Sequence, residues 1–229
     1  MAARNYNQNC PIARGLDVLG ERWTLLILRE LVGGARRYGD LRAELPGIAT
    51  NLLAERLKEL HDAGLIDRTD LPAPVGRTVY TLSDLGWRRV LPVLQSLAWF
   101  GLDRVDPIDS GPVSPLNGFL AGILLGFNSA GAAGVEATCR AEIDGRRFEF
   151  AVTQGRLAGA VGQPSVTITA SAADLVTARL GRATPSVRQR CAGSGLPVTS
   201  TPLTRCAARF RCPRPSRRER AEQLSFGSR

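Results

Sequence analysis

Residues 36–77 admit few folds: two short helical stretches, separated by a single Pro-Gly pair, run straight into a long two-stranded hairpin. Between Arg37 and Leu45 the apolar side chains Tyr38, Leu41 and Leu45 fall on one helical face. Pro46-Gly47 ends that stretch, because proline disfavours helix in the residue before it and glycine tolerates a tight turn. Thr50 to Leu60 resumes the helical period with Leu53, Leu57 and Leu60, and runs out at Ala63-Gly64. Asn51, Ala54, Glu55 and Lys58 are left on the opposite, solvent side. Two short helices joined by a glycine-containing turn present the second helix to the major groove of DNA. On this reading Thr50, Asn51, Ala54 and Glu55 face base edges.

The hairpin sharpens the expectation. Residues 65–69 and 77–82 are rich in β-branched and aromatic side chains, and the 70–76 segment between them carries two prolines and a glycine. A hairpin in this place is a wing, which sets Arg68 and Arg77 beside the phosphates flanking the groove. Arg36 and Arg37, at the head of the first helix of the pair, are placed for phosphates as well; the alternative is a pair of solvated surface arginines.

Net charge does not carry this argument. The chain has a formal charge of +9, but residues 1–105 hold 14 basic and 12 acidic side chains, residues 106–184 hold 6 and 7, and residues 185–229 hold 10 and 2. The basic excess therefore sits in the tail, and the helix-turn-helix reading rests on pattern.

Upstream, Pro11 suits a first helical turn, with Ile12, Leu16 and Leu19 at helical spacing up to Gly20. Trp23 to Val32 is apolar all round and belongs in the core under the reading helix. Downstream, residues 83–101 form a long helix with Val90, Leu91, Leu94, Leu97 and Ala98 in one stripe, flanked by Trp87, Trp99 and Phe100, and with Pro92 inside it. So much apolar surface asks for a partner. The same helix of a second subunit would bury it and match a palindromic double-stranded operator; the chain's own C-terminal half is the other candidate.

The run from Cys10 to Leu31, followed in order by Arg37-Tyr-Gly-Asp-Leu41, Leu45-Pro-Gly-Ile48, residues 53–60, Gly64-Leu-Ile66 and Tyr80-Thr-Leu-Ser-Asp-Leu-Gly86, resembles the HxlR-type winged-helix transcriptional regulators, relatives of the MarR regulators. The resemblance covers residues 10 to about 104. It implies a homodimeric DNA-binding regulator that answers to electrophiles, oxidants or small metabolites. It also implies a sensing role for Cys10, whose thiolate a helix N-terminus would favour; a cysteine retained without sensing is the alternative. This chain departs from the family where Ala49-Thr50-Asn51 replaces the usual Ser-Pro and basic residue, which weakens the cap and leaves Asn51 to read an adenine edge.

Beyond a Pro/Gly/Ser/Asp linker at 106–115, Leu116, Phe119, Leu120, Ile123, Leu124 and Phe127 recur at helical spacing, and Gly122 and Gly126 read as helix-packing positions. Alternating strands then follow at 136–143 and 147–153 about an Asp144-Gly145 turn, and again at 156–161 and 166–170, with a helix at 172–180. Helix, antiparallel meander and helix make the whole chain α+β: a winged domain at 1–105, the linker, and a small domain at 116–184. Residues 141–148, Asp174-Leu175 and 179–182 resemble the sterol-carrier-like domain. That implies an apolar pocket between sheet and helices for a hydrophobic effector; a packing module without ligand is the alternative.

Residues 185–229 lack periodicity and read as a disordered basic tail, one use of which would be a nonspecific DNA-tethering arm at Arg205 to Arg220. Cys191, Cys206 and Cys212 lack zinc spacing and a nearby histidine, so no metal is expected. The single histidine, His61, has no catalytic company, and phosphate or dinucleotide loops are missing; neither an enzyme nor a cofactor is expected. The longest apolar run, Phe119 to Phe127, is too short to span a bilayer, and the first residues carry no apolar signal region, so a cytoplasmic protein without membrane association is expected. The leading function is a dimeric regulator answering to a small-molecule or redox signal; the alternative is a hydrophobic-ligand binder whose winged domain serves protein contacts.

Overall fold

The computed structural model describes residues 5–72, 76–105, 112–179 and 188–191. Its first half runs α1 (Pro11–Leu19), α2 (Thr24–Val32), β1 (Arg36–Arg37), α3 (Tyr38–Glu44), α4 (Thr50–Asp62), β2 (Ile66–Asp70), β3 (Thr78–Leu82) and α5 (Asp84–Gly101), closed by a 3-10 turn at Leu102–Arg104. The helical periods and the wing stand where the sequence puts them. One element is new: Arg36 and Arg37 form a two-residue strand against β3, opposite Tyr80 and Val79, so the wing is a three-stranded sheet in the order β1-β3-β2.

The reason this half folds as it does is a single apolar plug. Ile27, Leu28 and Leu31 of α2, Leu41 of α3, Leu53, Leu57 and Leu60 of α4, and Ile66 of β2 are fully buried together. Burying each such side chain is worth about 1.5–3 kcal/mol. α5 is launched by Ser83, whose Oγ accepts from the Gly86 N–H at 3.0 Å and donates to the Gly64 carbonyl at 2.6 Å. The hydroxyl thus caps one helix and ties down the exit of another.

The second half runs α6 (Pro115–Phe119), a wide π turn (Leu120–Leu124), β4 (Ala137–Ile143), β5 (Arg146–Thr153), β6 (Arg156–Gly159), β7 (Val166–Ala170), α7 (Ala172–Arg179) and β8 (Arg188–Cys191). Asp144 and Gly145 take φ of 45° and 79°, the double left-handed pair that an Asp-Gly hairpin turn needs. Three sequence expectations are corrected. The helix read across 116–127 changes after Phe119 to a π turn. The strands are not all a meander: β6, β5 and β4 are, but β7 crosses over to lie parallel to β4. A further strand, β8, pairs antiparallel with β7 inside the stretch read as irregular. Between α6 and the sheet, Phe119 stacks on Phe148 at 4.6 Å with Phe150 set edge-on at 5.7 Å. Gly122 does serve packing, since a Cβ there would come within 2.7 Å of Leu175. The 106–111 part of the linker and residues 192–229, with Cys206 and Cys212, lie outside the described residues.

The apolar stripe of α5 is divided. Trp87, Val90, Leu91 and Leu94 are buried within the chain, with the Trp87 indole nitrogen against Gly159 of β6. Gln95 donates to the Leu124 carbonyl at 2.8 Å, so the second half lies directly on α5. The expectation that the whole stripe pairs with another subunit is corrected accordingly. Only Val93, Leu97, Trp99 and Phe100 stay exposed, Phe100 at 69%. Among the described residues no helix is long and apolar enough to cross a membrane.

Candidate nucleic-acid interface

α4 is amphipathic in the sense a reading helix requires. Its inner face is sealed by Leu53, Leu57 and Leu60, while Thr50, Asn51, Ala54 and Lys58 are exposed and Glu55 is half-exposed. Among the described residues, nothing from the second half buries Thr50, Asn51, Ala54 or Lys58. The N-terminus of α4 has Ala49 as its cap, whose methyl side chain cannot bond the first-turn N–H groups. Those N–H groups are open to an anion, the arrangement that suits a phosphate at a helix start. The helix is instead anchored by α3: the Tyr38 hydroxyl donates to the Thr50 carbonyl at 2.7 Å.

The flanking cations divide into two groups. Arg37 is exposed at the start of α3, where its backbone N–H donates to the Asp40 carboxylate at 3.0 Å. Arg68 and Arg77 are exposed on the wing, Arg68 lying 3.6 Å from Asp70. Lys58 pairs with Asp62 one turn on at 2.7 Å in full solvent, and this contact raises the lysine pKa. Such a solvated pair yields readily to a phosphate. Arg36 behaves otherwise. Its Nε and one terminal nitrogen are buried without a hydrogen bond, and its charge bears on Glu30, so part of the guanidinium expected at the phosphates is turned inward.

Two charged residues escaped the sequence reading. Arg56 is buried in α4 and pairs with Glu59 and with Glu21 at 3.6 Å. Its place in the row Leu53, Arg56, Leu57, Leu60 was the available signal, since a residue on the apolar row goes inside whatever its chemistry. Glu30, 1% exposed in the apolar helix α2, has its carboxyl raised above the ordinary range by burial, partly offset by the Arg29 guanidinium at 2.7 Å. It faced the core for the same reason as its leucine neighbours.

Cys10 caps α1 and is half-exposed, and the N–H groups of Ala13 and Ile12 lower its thiol pKa. Cys139 is a buried thiol in β4. No cluster of three or more metal-ligating side chains occurs among the described residues.

A core-buried three-helix unit, an outward-facing α4 and a three-stranded wing define a winged helix-turn-helix protein. The HxlR-like helix-turn-helix family model matches residues 18–109. The uncharacterised HTH-type transcriptional regulator YvaP of Bacillus subtilis is 33% identical over 104 residues, which is 45% of this chain and 95% of YvaP. An uncharacterised HTH-type transcriptional regulator of Synechocystis is 40% identical over 97 residues, 42% of this chain and 71% of the relative. The chain belongs to the HxlR-like helix-turn-helix family. Among solved structures, one described as a MarR-family transcriptional regulator from Porphyromonas gingivalis W83 has a TM-score of 0.40 at 32% identity, over 44% of this chain and 99% of that one.

Proposed function

We propose that the protein is a dimeric, sequence-reading transcriptional regulator in which α4 of each copy enters the major groove. The observation that carries this reading is the outward face of α4, exposed at Thr50, Asn51, Ala54 and Lys58 although its other side is fully buried. Asn51 reads a base edge, while Arg37, Arg68 and Arg77 grip phosphates on either side of it. The dimer forms through what the second half leaves open. Val93, Leu97 and Phe100 share one face of α5, and Ile12 and Leu16 are exposed one turn apart on α1. Exposed apolar stripes of this kind favour a two-fold contact, which matches a palindromic operator.

Two inputs feed this device. A groove of about 560 Å³ opens between α5 and the segment after the π turn, lined by Pro92, Gln95, Ser96, Trp99, Phe127 and Ser129. This groove is where an effector meets both α5 and the second half. Cys10, with its lowered pKa at the cap of α1, is the redox input.

The test is a mobility-shift titration against a duplex selected by the protein from a random pool and against a scrambled one. Asn51→Ala is expected to lose about 1–3 kcal/mol on the selected duplex alone, whereas Arg77→Ala weakens both alike. Equal losses on both duplexes for Asn51→Ala would reject α4 as the reader.

A further inference from the structure

The second half does more than cover α5; Arg146 also reaches the helices beneath the reading helix. Arg146 is the first residue of β5, directly after the Asp144-Gly145 turn. Its guanidinium carbon sits 5.0 Å over the Phe148 ring, which holds the side chain flat against the sheet. From there its two terminal nitrogens diverge. One lies 3.9 Å from the Glu30 carboxylate of α2, and the other 3.8 Å from the Glu44 carboxylate at the end of α3. Both contacts tie the second-half sheet to the winged unit.

The surroundings make this contact hard to replace. Glu30 is 1% exposed and also faces Arg29 and Arg36, with Glu44 the second carboxylate in the group. One Arg146 nitrogen, two Arg36 nitrogens and one Glu30 oxygen are buried there without a hydrogen bond. Glu30 is buried while Glu44 stays half-exposed, so the inner end of the cluster, with its unspent donors and acceptors, is the part sensitive to the loss of a charge.

The same contact has a path to the reading helix. Glu44 is the last residue of α3, a helix of 7 residues. At its other end Tyr38 donates to the Thr50 carbonyl, the first residue of α4. A helix two turns long is rigid, so a pull on Glu44 is delivered at Thr50.

We propose that Arg146 is a positioning residue: it fixes the C-terminal sheet to α2 and α3 and thereby sets the orientation of α4 for DNA reading. This rests on α4 being the reading helix. It gives the second half a mechanical role in operator affinity, separate from any ligand the groove takes.

The test uses the full chain with Arg146→Met, which keeps the length and the contact on Phe148, with Arg146→Lys, and with Glu44→Gln from the other side of the pair. Binding to the selected and scrambled duplexes is read by fluorescence anisotropy at one salt concentration. Backbone hydrogen exchange of residues 38–53 is read without DNA. Arg146→Met is expected to weaken the selected duplex by about ten-fold, leave the scrambled one unchanged and speed exchange across residues 38–53, within the range that coupling between distant sites spans. Arg146→Lys falls between, and Arg146→Met combined with Glu44→Gln is no weaker than Arg146→Met alone. Equal weakening on both duplexes, additive effects of the two substitutions, or unchanged exchange at 38–53 would overturn the proposal. If the wild-type protein selects no duplex, the reading role of α4 falls, and the exchange measurement alone decides whether Arg146 holds α3.

Discussion

Gly118 in α6 offers a sharp check on how the second half is packed. A Cβ built there would lie 2.5 Å from the Ala172 Cα, 2.7 Å from the Ala172 Cβ and 3.2 Å from a methyl of Ile143. The first of these is backbone, so no rotamer change relieves it; α6 must back away from α7 by roughly 1 Å to reach ordinary contact. Overpacking of this kind costs about 1–3 kcal/mol, against about 1 kcal/mol returned by alanine's better helix propensity. Gly118→Ala is therefore expected to destabilise by up to about 2 kcal/mol, a fall in Tm of up to about 8 °C for a chain of this size. Gly39 in α3 is the matched control, because a Cβ there meets nothing within 4 Å. Gly39→Ala is expected to raise stability by up to about 1 kcal/mol. Thermal and urea melts followed by circular dichroism read both. Should Gly118→Ala melt at or above the wild type, α6 and α7 do not approach as closely as described, and the account of this layer fails.

Three further outcomes follow from individual side chains. Ser83→Ala removes the cap of α5 and its bond to Gly64 together, and a urea titration should register a loss of about 1 kcal/mol. Glu30 has its folded-state pKa raised by burial, so its contribution to stability is full below the ordinary carboxylate pKa and is lost as pH rises through the raised value. Urea midpoints of wild type and Glu30→Gln across that window should therefore diverge with pH, and a constant difference would contradict the burial argument. Cys10, its pKa lowered by two N–H groups, should react with iodoacetamide at a lower pH than Cys139, which is buried; after unfolding the difference should vanish.

The winged unit was legible in the chain because its signals are local. Leu53, Leu57 and Leu60 report a helical face, Pro46-Gly47 a turn, and residues 65–82 a hairpin, each within one or two turns of sequence. Local periodicity also fixed what α4 turns outward, since sealing one side of a helix exposes the other. The second half was read less well, for the same physical reason in reverse. Period-two alternation marks a strand but is blind to its neighbour, so β7 looks alike whether it lies antiparallel in a meander or parallel to β4.

Three-dimensional packing alone decided the rest. The α5 stripe was visible as apolar surface, yet only the docking of β6 and the π turn settled that Trp87, Val90, Leu91 and Leu94 are covered within the chain and Val93, Leu97 and Phe100 are not. Arg36 and Arg37 are adjacent and chemically identical, and strand alternation in β1 sends one toward Glu30 and leaves the other in solvent. The cluster of Glu30, Glu44 and Arg146 joins residues more than a hundred positions apart. A sequence records which charges exist; which of them meet depends on how the two halves of the chain pack against each other.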